Sequence, residues 1–203
     1  SLALQRLAGF DWMLEERGHE VTVDVTTAWR TAGDDVPSHA GLEPGDTVPR
    51  RYLPLWESFA WTQGFAAGSG WQTWLEALPL DFTETFPNGQ RALCVHAAPG
   101  TDDGDGMRPG LSDDQLTPLL SGVDADWIFV GHTHWPQHRV LAGKHLVNVG
   151  AVGLPFTPDV LPAYAVLEAT ERSVRIEQRV VTYDPAPELA ELERLAHPAR
   201  ELI

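Results

Sequence analysis

The chain has 203 residues, 29 of them acidic and 14 basic, for a formal charge of −15. Such a charge repels a phosphate-rich polymer and excludes nucleic acid as a structural partner, although a bound divalent cation would still draw in a small phosphate ester locally. With 43% hydrophobic residues and eight tryptophans, the composition is that of a folded domain and not of a disordered chain.

Cys94 is the only cysteine, which rules out an internal disulfide and makes a reducing, cytoplasmic compartment the expectation. No apolar run reaches the roughly 18 residues of a membrane span, and none follows a basic stretch as in a signal peptide, so no membrane partner is expected.

In chain order, Leu4, Leu7, Ala8 and Leu14 recur at helical spacing, which predicts a helix over 2–17 stopped by Gly18. "HEVTVDV" from His19 alternates as a strand does. Residues 31–50 are rich in Gly, Pro and Asp and read as a long loop or cap. Helices are predicted over 51–66 and 70–78, the first carrying Tyr52, Trp56, Phe59, Trp61 and Phe65. "DFTETF" and "RALCVHAAPG" are strands joined at Asn88-Gly89, a pair that tolerates positive φ and so favours a tight hairpin; His96 then ends the second strand. Ser112 is placed to cap a short helix in "SDDQLTPLLSG". "DWIFVG" is an apolar strand running into His132, and "QHRVLAG", "KHLVNVGAVG", "AYAVLEA" and "SVRIEQRVVTY" follow as strands. The tail, 184–203, carries Leu189, Leu192 and Leu195 and reads as a helix suited to packing on the body or on a second copy in a homo-oligomer. The whole, 1–203, is expected to be a single domain.

His96, His132 and His134 stand at the ends of two buried strands, where open α/β sheets place ligands. Imidazole is the commonest nitrogen ligand for transition metals. If the segment is extended, His132 and His134, two residues apart, share one face, and Gly131 lets the backbone turn there. His19, His39, His138, His145 and His197 read instead as surface or satisfied core residues. A metallo-β-lactamase site would continue as HxHxDH, but "WPQH" follows here. An amidohydrolase carries HxH on the first strand of a longer barrel, and here the pair lies two-thirds along the chain.

"VHAAPG", "VGHTHWP" and "LVNVGAVGLP", in this order and at these separations, resemble the last motifs of the calcineurin-like metallophosphoesterases, in particular the bacterial YfcE-like phosphodiesterase branch. The resemblance covers roughly residues 51–183. It implies an α/β fold, a four-layer α/β/β/α sandwich with a two-metal centre at the strand ends. His96 and His132 would then hold one divalent transition-metal ion (Mn, Fe, Zn or Ni) and His134 the other. Gly131 would help the loop to turn, and Asn148, Gly150 and Gly153 would support the site from behind. Val149 and Ala151 stand where the family has proline and serine. The family's opening DxH, GD and GNH motifs, which carry the carboxylate ligands and a catalytic histidine, do not precede His96. The Gly-Asp pairs at 33–34 and 45–46 follow no buried strand. "SLALQRLAG" resembles the start of the helix behind GNH, so the expectation is that N-terminal β-α-β units, roughly 60 residues at about 30 per unit, lie upstream of Ser1.

The function so implied is hydrolysis of a small phosphate ester, a diester or monoester, by a binuclear centre. The alternative is a degenerate phosphoesterase fold acting as a binding or structural module with at most one metal. Trp56, Trp61 and Trp135 are expected first in the core, their competing role being an apolar wall for the ester's leaving group.

Overall fold

The computed structural model describes residues 3–5, 12–16, 19–23, 53–102 and 105–201. They fall into two compact units: residues up to 24 together with 79–182, and the helical segments within 25–78 and 183–203. The 31–50 stretch, Tyr52 and the side chain of Trp56 lie outside the described residues. Among the described residues, no helix is long and apolar enough to cross a membrane.

The first unit opens with three short strands, β1 (Ala3–Gln5), β2 (Trp12–Glu16) and β3 (His19–Val23), paired antiparallel in the order β1-β2-β3. This corrects the helix predicted over 2–17. β2 pairs along its whole length with the β-branched run of β3, Leu14 opposite Val21, and pairing of this kind overrides a weak helical spacing.

The principal sheet has five strands: β4 (Asp81–Thr85), β5 (Arg91–Val95), β6 (Trp127–Val130), β7 (Gln137–Leu141) and β8 (Lys144–Asn148). Their order is β4-β5-β6-β8-β7. β5, β6 and β8 run parallel, and β4 and β7 close the edges antiparallel. The β4–β5 hairpin forms where Asn88-Gly89 predicted it, but only Gly89 adopts positive φ, at 84°. The amide of Gly89 donates to the Phe86 carbonyl at 2.8 Å, and that of Phe86 to the Gln90 carbonyl at 2.8 Å. The connection is therefore a turn through Pro87-Asn88 with glycine at its left-handed corner, longer than a two-residue turn.

Alternation along the strands divides the core. Ala92, Cys94, Trp127, Phe129 and Val147 face a hairpin of β9 (Ala163–Ala169) and β10 (Val174–Val180), meeting Ala169, Val174 and Ile176. Val95, Ile128, Val130, Leu141 and Leu146 face the other way, onto Met107, Leu116 and Leu120. Leu116 and Leu120 belong to one helical turn, Asp113–Leu116, continued as a 3-10 turn over Thr117–Leu120. The Gln115 side-chain oxygen accepts from the Ser112 amide at 2.9 Å, which bears out the helix start at Ser112. β6 is buried at all four positions, as a central parallel strand covered on both faces must be. Full burial of each aliphatic side chain here contributes about 1.5–3 kcal/mol. The α/β expectation holds: a mixed sheet with a β-hairpin on one face and a helical segment on the other.

In the second unit, α1 (Leu53–Gly68), α2 (Gln72–Glu76) and α3 (Ala186–Arg194) are the helices predicted for these stretches. Trp61 stacks on Phe65 with ring centroids 5.4 Å apart and meets His197 edge-on at 4.4 Å. None of α3's residues is buried.

Candidate metal centre

β5 and β6 are adjacent and parallel, so the residues that follow them emerge side by side. The Gly131 amide donates to the His96 carbonyl at 2.8 Å, extending the ladder one step past the strand ends. His96, only 2% exposed, thereby meets His132. Its Nε2 lies 3.1 Å from His132 Nδ1, with the rings nearly perpendicular at 82°.

Two nitrogens at this distance suit a hydrogen bond with one ring donating, and their separation is also that of two ligands on one ion. Bonds of about 2.0–2.1 Å at angles from a right angle to tetrahedral place two ligand nitrogens roughly 2.9–3.4 Å apart. The pair thus fits as two ligands of one ion.

His132 and His134 do not lie in an extended segment, which corrects the reason given for their convergence. Both have positive φ, 63° and 54°, and the Thr133 amide turns back to the Gly131 carbonyl at 2.7 Å. His134 stands apart from the other two. Its Nδ1 is 2.8 Å from the Leu154 carbonyl, and its ring lies 5.3 Å from that of Phe156. A carbonyl only accepts, so Nδ1 carries the proton and donates. The lone pair of the neutral ring is then on Nε2, the arrangement that metal-bound histidines adopt when a backbone carbonyl orients them.

Asn148, completely buried, braces this turn. Its Nδ2 donates to the Gly131 carbonyl at 2.7 Å and to Thr133 Oγ1 at 2.8 Å, and its Oδ1 accepts from the Gly150 amide at 2.9 Å. Gly150 has φ +83°, and a Cβ there would stand 2.7 Å from Ala163 Cβ. A Cβ on Gly153 would meet nothing within 4 Å, so packing makes no demand for glycine at that position.

Several neighbours of the site escaped the sequence. Gly106, φ +58°, sits against the His132 ring, signalled only by lying in a Gly/Asp-rich loop. Gln137 Nε2 donates to the Met107 carbonyl at 2.6 Å, and Gln178 Nε2 to the Asn148 carbonyl at 2.6 Å. Leu154 and Phe156 follow a motif but carry no chemical signature of their own. Trp135 is 36% exposed, which corrects its expected place in the core, whereas Trp127 takes a core position. Among the described residues, no three His, Cys, Asp or Glu side chains come together as a metal-ligand group.

No family model matches the sequence, and no curated protein matches it. Solved structures do. A hypothetical protein from Pyrococcus horikoshii OT3 superimposes with a TM-score of 0.65 at 15% identity, over 86% of this chain and 66% of its own. A metallophosphoesterase from Sphaerobacter thermophilus superimposes with a TM-score of 0.56 at 18% identity, over 76% of this chain and 70% of its own. The chain spans about two thirds of the length of these two proteins. The likeness is one of architecture: the chain shares its fold with these two proteins.

Proposed function

We propose that the protein is a metal-dependent phosphoester hydrolase of the YfcE-like branch, acting on a small phosphate diester or monoester. The observation that carries this reading is the His96–His132 nitrogen pair, 3.1 Å apart at the carboxyl ends of two adjacent parallel strands. His96 and His132 would hold one divalent ion. His134, through Nε2, would hold a second, with Leu154 orienting its ring. When bound, two such ions supply the Lewis acidity for attack on phosphorus. Mn, Fe, Zn and Ni each accept imidazole nitrogen. Asn148, bonded to Gly131, Thr133 and Gly150, would keep the turn that bears His132 and His134 in place. The reading requires carboxylate ligands; among the described residues no three His, Cys, Asp or Glu side chains group as metal ligands.

The test is hydrolysis of bis-p-nitrophenyl phosphate by the metal-loaded, full-length protein. Replacing His132 or His134 by Ala should abolish turnover and reduce bound metal, while His138→Gln should leave turnover intact. Equal activity in the three variants would sink the assignment.

A second reading is a binding module of the same fold holding one ion at most; among the described residues no three His, Cys, Asp or Glu side chains group as metal ligands. It predicts no turnover with any divalent ion and a single equivalent of metal lost on replacing His132.

A further inference from the structure

A second convergence of histidines lies away from these strand ends, on the β7–β8 hairpin. His138 is opposite Val147 and His145 opposite Val140, so the two histidines are diagonal neighbours on one face of the hairpin. His138 Nε2 and His145 Nδ1 are 3.0 Å apart. His145 is held from beneath: its ring stacks on Trp127 at 3.8 Å and 12°, and its amide donates to the Asp126 carbonyl at 2.7 Å. Trp127 is itself 3% exposed. The neighbouring Lys144 is tied down through Nζ to the carbonyls of Val123 and Ala125, at 2.6 and 2.7 Å. His138 is the exposed member of the pair.

We propose that His138 and His145 form a separate surface site for a transition-metal ion of the imidazole-binding class, such as Cu²⁺, Ni²⁺ or Zn²⁺. Three observations support it. The nitrogen separation falls in the roughly 2.9–3.4 Å range that two ligands of one ion require. Both ligands stand on paired strands of fixed register, which hold geometry better than loops do. Burial lowers the pKa of each ring, and His138 lowers that of His145 further, against the opposing charge of Asp126. The rings therefore offer lone pairs at neutral pH, the form that binds metal. Two protein ligands leave the ion's other positions to water or to a donor from another molecule.

Metal-stripped full-length protein titrated with Cu²⁺ tests this, with stoichiometry read by calorimetry and the neighbouring ring by tryptophan emission. The parent and the His132→Ala variant should both bind an equivalent of Cu²⁺ that His138→Gln and His145→Gln lack. Part of the emission should be quenched with that equivalent, and this part should vanish in Trp127→Phe while the ion still binds. Should His145→Gln lose its fold with the stack, the exposed His138→Gln decides alone. The proposal is overturned if His138→Gln binds as many equivalents as the parent with unchanged affinity. Because His132→Ala keeps this site, its failure is separable from failure of the strand-end centre.

Discussion

Gly106 lies so close beneath His132 that a Cβ built on it would stand 2.7 Å from His132 Cδ2, on backbone already at φ +58°. The imidazole has the Gly106 backbone on its Cδ2 side, and its Nδ1 is 3.1 Å from His96 Nε2. Gly106→Ala should therefore act twice. The left-handed backbone costs an L-residue about 1–2 kcal/mol, and the methyl group must displace the ring from its present geometry with His96. The expected outcome is a lower urea midpoint together with weaker metal binding, measured by calorimetry on the same protein. Loss of stability with metal affinity unchanged would show that the ring does not move.

Asn148 joins three backbone or side-chain groups of two separate turns. Asn148→Leu removes their partners in a fully buried place, where each unsatisfied group costs about 1–3 kcal/mol. Asn148→Asp keeps the acceptor for Gly150 but loses the donor to the Gly131 carbonyl, and sets a carboxylate oxygen against it. Chemical unfolding should find both variants destabilised by at least about 2 kcal/mol.

Cys94 faces the core beneath the β9–β10 hairpin. Burial, and then the charge of Glu84, push its thiol up to about 12. Since the thiolate is the reactive form, iodoacetamide at pH 8 should leave the native protein unmodified and alkylate it fully in urea. Rapid labelling without denaturant would mean that this face of the sheet opens.

His138, His145 and His197 are all held below the ordinary histidine value, chiefly by burial. The unfolded chain then binds more protons than the folded one in the interval just below about pH 6.5. Their contribution to stability is thus complete above that pH and declines as pH falls through it towards the folded values. The urea midpoint should be lower at pH 5 than at pH 7.5, and His138→Gln should shrink that difference. An unchanged difference would show that the pair does not sense protons.

The strands of the principal sheet and the helices of the second unit were legible in the sequence because their signals are local. β6 is an unbroken apolar run, Asn88-Gly89 sits at a hairpin, and α1 carries its aromatic residues within three turns. The positions of His96 and His132 at strand ends were legible for the same reason. The strands β1 and β2 were not, since Leu4 and Leu14, which belong to an apolar set at helical spacing, stand opposite each other across the two strands, and only the pairing partner chooses between helix and strand. The sequence alone determined that the candidate histidines His96, His132 and His134 would follow buried strands. Only the tertiary structure decided which of them meet. Adjacent parallel strands bring His96 and His132 to 3.1 Å, while two left-handed residues turn His134 towards Leu154. It also set His138 beside His145, because strand register brings side chains seven residues apart in sequence together across a hairpin, and register is a property of the sheet as a whole.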